Sequence, residues 1–440
     1  MRYTCTTLLL LWAFFSPDRV QAQRGAEQES LLALRAARML DVRSGQYVMH
    51  PVILIRADRI EAVGPALPVP AGTQIIDLGD ATLLPGLIDS HTHLLKKNNP
   101  RFFDGPSLLL DVTEMSTTER ALRGVKMGQE DLEAGITTVR DVGNSGINGA
   151  VALREAIDAG WVVGPRVVAC TRALAPKGGQ FPQLSSEGQQ LIEQEYVQIS
   201  GVEEARKAVR QALYDGADCI KVIVDAGPLT LSLEEMKEIV EEAHRAGKTV
   251  AAHAVSERAI QTAAEAGVNS IEHGFSLNEA QARLMAAKGV FLVPNDYLTE
   301  VYLMGNLFQT PEDRKASEAG YGGFAEWIRK RLAIAIENGV RIAAGSDMYT
   351  DKPGLTRGQA SLLIFDAYAE AGMPLLEIIR AATVNASELL GLPNDIGTLE
   401  AGKFADIIAV PDDPLADITA LQRVQFVMKG GSVVRNDLAR

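Results

Sequence analysis

The chain has 440 residues, 47% of them hydrophobic, and a formal net charge of −13. That length and apolar content suffice for a large buried core, within which a barrel of about 250 residues or more counts as one domain. No basic cluster able to neutralise a phosphate backbone is present, which excludes nucleic-acid partners; the acidic balance bears on solubility rather than on substrate.

The first predicted element is an export signal over residues 1–22. Arg2 gives a positive start, Leu8 to Phe15 is an apolar run, and Val20-Gln21-Ala22 is a small-x-small cleavage site before Gln23. The run is too short to span a bilayer, and Cys5 precedes it, which argues against a lipid anchor. No later segment is long and apolar enough to cross a membrane. A periplasmic or secreted location is expected.

Residues 23–82 read as one part of a small β-sandwich. "ALRAARMLDVRSGQYV", "PVILIRADRIEAVG" and "TQIIDLG" are short alternating strands with turn breaks. The pattern returns over 393–440 in "IGTLEAGKFADIIAV" and "VQFVMKGGSVVRN", where Gly402 and Gly430-Gly431 mark turns. Between them, residues 83–392 alternate strand and helix. The predicted strands are "GLIDSHTH", "TTVRDVG", "RVVAC", "CIKVIV", "TVAAHAV", "SIEHG", "FLVPN" and "RIAAGSD". "VEEARKAVRQALYDG" and "LSLEEMKEIVEEAHRAG" have helical spacing and end in Gly. Eight strand–helix steps predict an α/β fold, a (β/α)8 TIM barrel whose active site sits at the carboxyl ends of its strands.

Two cysteines, Cys170 and Cys219, follow the export segment, both in predicted strands. They are expected to be buried free thiols. A bridge between them in an oxidising compartment stays open, since it depends on a distance.

Six residues fall at or just past predicted strand ends: His91, His93, Lys221, His253, His273 and Asp347. Period-two alternation puts His91 and His93 on one strand face, which in a barrel is the lumen. Nitrogen and oxygen ligands from separate strands suit zinc or a similar divalent ion. A lone Lys in a strand would more simply snorkel to the rim. Among these ligands Lys221 reads differently, because a buried neutral amine can capture carbon dioxide, and the carbamate bridges two metals. Asp347 could cap the next segment, or ligate a metal and relay protons as the catalytic acid and base. His50 and His244 receive no role.

These residues resemble the amidohydrolase superfamily, in its binuclear branch with a carboxylated lysine. The likeness spans nearly the whole mature chain and rests on "LLPGLIDSHTHL", "GITTVRDVG", "GADCIKV", "AHA", "IEHG", "AGSD", "ATVNASELLGL" and "GTLEAGKFADIIAV". Within the superfamily the chain is similar to the Xaa-Pro dipeptidase and imidazolonepropionase-related group, which includes ochratoxin-hydrolysing amidases. The resemblance implies two divalent ions: His91, His93 and Asp347 on one, His253 and His273 on the other, with carboxylated Lys221 and a hydroxide bridging them. It implies a small amide or dipeptide substrate, attack by the hydroxide, proton relay through Asp347, and a homo-oligomer.

The chain departs from related peptidases in two places. Gly178-Gly179-Gln180 stands where they often carry Gly-Gly-His, and Arg357-Gly358 where they often carry His-Gly. Gln180 is therefore a substrate-pocket candidate. Arg357 could hold a substrate α-carboxylate in a bidentate pair, or simply pair with a nearby acid on the surface. Arg140 and Tyr297 are further pocket candidates, and Tyr349 could donate to an oxyanion. The predicted function is hydrolysis of the amide bond of dipeptides or N-acyl amino acids. Two other readings remain open. One is a mononuclear deaminase or imidazolonepropionase-like enzyme using an acid near the fifth strand, for which Glu257 is available. The other is a scaffold without catalysis, against which the complete ligand set argues.

Overall fold

A computed structural model describes residues 31–98, 106–304 and 310–439. The expected export segment lies outside the described residues. Both ends of the described chain build the sandwich. Strands Arg59–Pro65, Pro51–Arg56, Leu32–Arg35 and Gln74–Asp77 form one sheet in that spatial order. The second sheet runs Ser432–Asn436, Phe426–Lys429, Ile407–Val410, Thr82–Pro85, Arg38–Asp41, Gln46–Met49. Its centre is the antiparallel pairing of Ile407–Val410 with Thr82–Pro85, which joins the two distant parts of the chain. Leu34, Ile53, Ile55, Leu83, Ile407 and Phe426 are buried between the sheets. Gly430 and Gly431 both take positive φ, as a two-residue hairpin turn requires. A Cβ at Gly431 would collide with the carbonyl oxygen of Ala57.

The middle of the chain forms a closed barrel. Seven parallel strands follow in chain order: Leu87–Thr92, Ile136–Asp141, Arg166–Ala169, Cys219–Ile223, Thr249–Ala254, Ser270–His273 and Phe291–Val293. The eighth, residues 341–347, is irregular. It bridges Leu292 through Ile342, Ala343 N donates to Leu292 O at 3.0 Å, and Ser90 N donates to Ala344 O at 2.7 Å. These bonds close the cylinder between its seventh and first strands. Apolar side chains on the strands pack against the helices outside, as with Val222, Val250, Ile271 and Leu292. The two helices predicted from spacing form over Val202–Tyr214 and Leu233–Arg245, the second opened by a Ser232–Glu235 capping box. No helix among the described residues is long and apolar enough to cross a membrane.

The cysteines correct the sequence reading. Cys170 and Cys219 are buried as expected, but they form a disulfide. The end of the third strand and the start of the fourth lie in parallel register, which brings the two Cα atoms to 4.8 Å.

Candidate active site

At the end of the first strand, His91 and His93 face the barrel mouth. Each has its Nδ1 occupied from behind. His91 Nδ1 lies 2.6 Å from the Glu272 carboxylate, and His93 Nδ1 lies 2.7 Å from the carbonyl oxygen of Gly143. Both partners are acceptors, so both Nδ1 atoms carry the proton and the Nε2 lone pairs point forward. What they meet is Asp347 Oδ1, at 3.6 Å from His91 Nε2 and 3.2 Å from His93 Nε2. That oxygen is buried and has no hydrogen-bond partner among the described residues. Three electron-rich atoms converging in a buried site repel one another unless a cation sits between them. Ligand atoms of the three residues lie within 4.8 Å of one another. The donor set and its rear support fit a divalent metal.

Asp347 is held there by unusual backbone. Its φ is +50°, its N–H donates to His91 O at 2.8 Å, and the preceding Gly345 admits no Cβ because His91 and Val293 press against it. Asp89 ties the same two strands together. Its Oδ1 accepts from His91 N at 3.1 Å and Ser346 N at 2.9 Å, and its Oδ2 accepts from Ser346 Oγ.

His253 and His273 extend the cluster. Their ring centroids are 4.8 Å apart, and His273 lies 5.1 Å from His91. His273 also takes positive φ, at +67°. Lys221 lines the same cavity from the middle of the fourth strand. Burial, helped by the nearby Lys221 charge, pushes His91 down to about 4 and His253 down to about 3. Burial and the neighbouring His253 hold His273 well below its ordinary value. All three are therefore neutral imidazoles at neutral pH. Burial pushes Lys221 down to about 8 against the upward pull of Glu272 and Asp347. Burial opposes ionisation of Asp347 and Glu272, yet both carboxyls are held below their usual range, Asp347 by His91 and His93 and Glu272 by Arg140 and His91.

The cavity above this cluster has a volume of about 360 Å³. The structure places Gln180, Tyr297 and Tyr349 in its wall. Gln180 Nε2 lies 3.4 Å from His253 Nε2, and its amide oxygen accepts from Tyr196. Tyr297 spends its hydroxyl proton on Ser346 O at 2.9 Å. The Tyr349 ring stands edge-on to His93 with centroids 6.0 Å apart.

The two arginines expected in the pocket are committed elsewhere. Arg140 is fully buried behind His91. It donates to Ser90 O at 2.6 Å and to Glu272 at 2.8 Å, so it supports a ligand's partner rather than a substrate. Arg357 is buried, paired with Asp131, and donates to Thr92 Oγ1 and to Met348 O. It is neither a surface residue nor in the cavity wall. Glu257 is exposed in the first turn of a helix, also outside that wall. The sequence reading missed Glu272, which adjoins His273 and which alternation turns away from the cavity, and Asp89, which shares the face of His91 two residues before it but lies deeper in the barrel, tied to Ser346. It also missed Lys96, Lys352 and the aromatic wall of Phe275, Tyr302 and Phe324.

The Amidohydrolase family signature matches residues 82–434. Ochratoxinase of Aspergillus niger is 32% identical over 383 residues, covering 80% of this chain and 75% of that protein. Its crystal structure superposes with a TM-score of 0.76 at 28% identity, covering 92% of this chain and 96% of that one. A prolidase in complex with N-methylphosphonate-L-proline gives a TM-score of 0.79 at 28% identity, covering 92% and 100%. A Xaa-Pro dipeptidase with methionine bound in its active site gives 0.76 at 29% identity, also covering 92% and 100%. These similarities agree with the TIM barrel and sandwich and with the cluster of donors at its mouth. The chain belongs to the amidohydrolase family and is a metal-dependent hydrolase acting on carbon–nitrogen bonds of the amide type.

Proposed function

We propose that this chain is an exported hydrolase of dipeptides or N-acyl amino acids, working with two divalent ions, zinc being the metal that suits the donors. His91, His93 and Asp347 would hold one ion, His253 and His273 the other, and Lys221, carboxylated, would lie between them. The observation that carries this reading is the convergence of His91 Nε2 and His93 Nε2 on the partnerless Asp347 Oδ1, with two more neutral imidazoles alongside.

Carboxylation needs a neutral amine, which burial of Lys221 favours. The Nζ lone pair attacks carbon dioxide, one C=O electron pair moves to oxygen, and an N–H proton passes to water, leaving the carbamate anion. When bound, the ions supply a water activated at neutral pH and a polarised scissile carbonyl. Asp347 accepts the proton of that water and returns it to the departing nitrogen, so the amine leaves neutral. Glu272 and Gly143 keep the imidazoles of His91 and His93 in the ligating tautomer throughout. The amino-acid ligands in the prolidase and Xaa-Pro dipeptidase structures support a substrate with a free carboxylate. The Cys170–Cys219 bond supports an oxidising compartment, hence export.

The test is an assay of zinc- and bicarbonate-loaded enzyme against a library of dipeptides and N-acyl amino acids, with metal content measured on the same sample. Cleavage of members with a free α-carboxylate is expected. No cleavage of any member by metal-loaded protein rejects this substrate class.

A further inference from the structure

Among the described residues three lysines line the cavity: Lys96, Lys221 and Lys352. Lys221 stands among the metal ligands. Lys352 donates to the carbonyl oxygen of Val301 at 2.6 Å. Lys96 has neither use. Its Nζ sits 3.7 Å from the centroid of the Tyr349 ring, and among the described residues it has no hydrogen-bond or ion-pair partner. The acids whose charge it feels are engaged already. Asp111 is paired with Arg123 at 2.8 Å and Glu195 with Arg120 at 2.6 Å, and Asp347 turns its Oδ1 to the donor cluster of His91 and His93.

The chain fixes Lys96 at that spot. Leu94 and Leu95 are fully buried just after the first strand, so Lys96 emerges three residues beyond His93 at the rim. Asn98 N donates to Tyr349 O at 2.7 Å and pins the two segments together. Tyr349 then stands between the ligand His93 and the ammonium, touching both with one ring. Burial lowers the pKa of Lys96, a cost that a bound anion would offset. A cation resting on an aromatic face with no anion beside it is a vacant receptor for one. The arginines that could compete, Arg140 and Arg357, are paired inside the protein.

Resting on the function proposed above, we propose that Lys96 binds the substrate's carboxylate, the group two bonds beyond the scissile nitrogen. The carboxylate end lies against Lys96 and Tyr349, and the remainder of the substrate extends along the wall of Phe275, Tyr302 and Phe324. Lys96 thereby sets the preference for amides that carry a free acid next to the bond broken.

Binding of an uncleavable ligand separates this assignment from the hydrolysis itself. The probes are 3-benzoylpropionate, in which carbon replaces the amide nitrogen of an N-acyl glycine, and its carboxamide. Both are titrated by calorimetry into zinc-loaded wild type, Lys96→Gln and Lys96→Arg. Wild type is expected to bind the carboxylate at least about tenfold tighter than the carboxamide, the scale of one charge-assisted hydrogen bond. Lys96→Gln is expected to lose that preference while its affinity for the carboxamide stays unchanged, which also reports an intact pocket. Lys96→Arg is expected to keep part of the preference. Equal affinity of wild type for the two probes, binding of neither, or an undiminished preference in Lys96→Gln overturns the assignment. A Lys96-dependent preference in an enzyme that cleaves no dipeptide or N-acyl amino acid would leave the assignment standing and reject the proposed function alone.

Discussion

The Glu272 carboxylate lies 2.6 Å from His91 Nδ1, with both side chains buried and with Arg140 against the other carboxylate oxygen. This chain of three fixes the tautomer of His91, with Nε2 left free toward the cavity. Replacing Glu272 by Gln removes the charge behind the imidazole without removing its shape. Zinc affinity should fall about 10–100-fold, the usual consequence of losing such a partner. Competition against a chelator of known affinity measures it. Unchanged zinc affinity would mean that Glu272 serves only to neutralise Arg140.

His93→Ala should abolish amide hydrolysis and leave a folded barrel. The side chain faces the cavity, and its hydrogen bond to Gly143 O is local. Circular dichroism and a melting curve on the inactive variant check this. Loss of the folded state would make the residue chiefly structural.

The Cys170–Cys219 bond joins adjacent barrel strands 49 residues apart in sequence. Non-reducing mass analysis of denatured protein should find no free thiol at either position. The Cys170→Ser, Cys219→Ser double variant should be less stable by about 2–4 kcal/mol in denaturant titration. Free thiols in protein purified without reductant would contradict the bond.

Lys352 gives a pH signature outside the ligand set. Burial alone pushes its pKa down to about 8, against an unfolded value near 10.5. Below about 8 both states hold the proton, and the penalty on the charged form is constant. Between about 8 and 10.5 the unfolded chain binds more protons, so this group makes the fold more stable as pH rises. The stability difference between wild type and Lys352→Met should therefore shift in favour of wild type across that window. A difference independent of pH would show that the ammonium is well solvated in the folded protein.

The barrel, the sandwich and the six candidate ligands were legible in the sequence because each depends on short-range pattern. Alternation set the strands, helical spacing set the connections, and "SHTH", "IEHG" and "AGSD" placed donors where strands end. The eighth strand was legible as a position but not as an irregular run, because its path depends on Asp89 reaching across to Ser346. The fate of the arginines was not legible. Arg140 and Arg357 are guanidinium groups near ligands, and only the packed structure shows Glu272 and Asp131 already holding them. Lys96 was overlooked for the converse reason, since a lysine three residues past a metal motif looks like an ordinary surface charge until Tyr349 is seen beneath it. The disulfide required a distance between strands that no local pattern encodes.

The most direct test of the two-ion centre is anomalous diffraction at the zinc edge from crystals grown with zinc and bicarbonate. Two peaks are expected, one among His91, His93 and Asp347 and one beside His253 and His273, with density for a carboxylated side chain at Lys221 reaching both. A single peak with a bare amine at Lys221, or no peak beside these histidines, would contradict it.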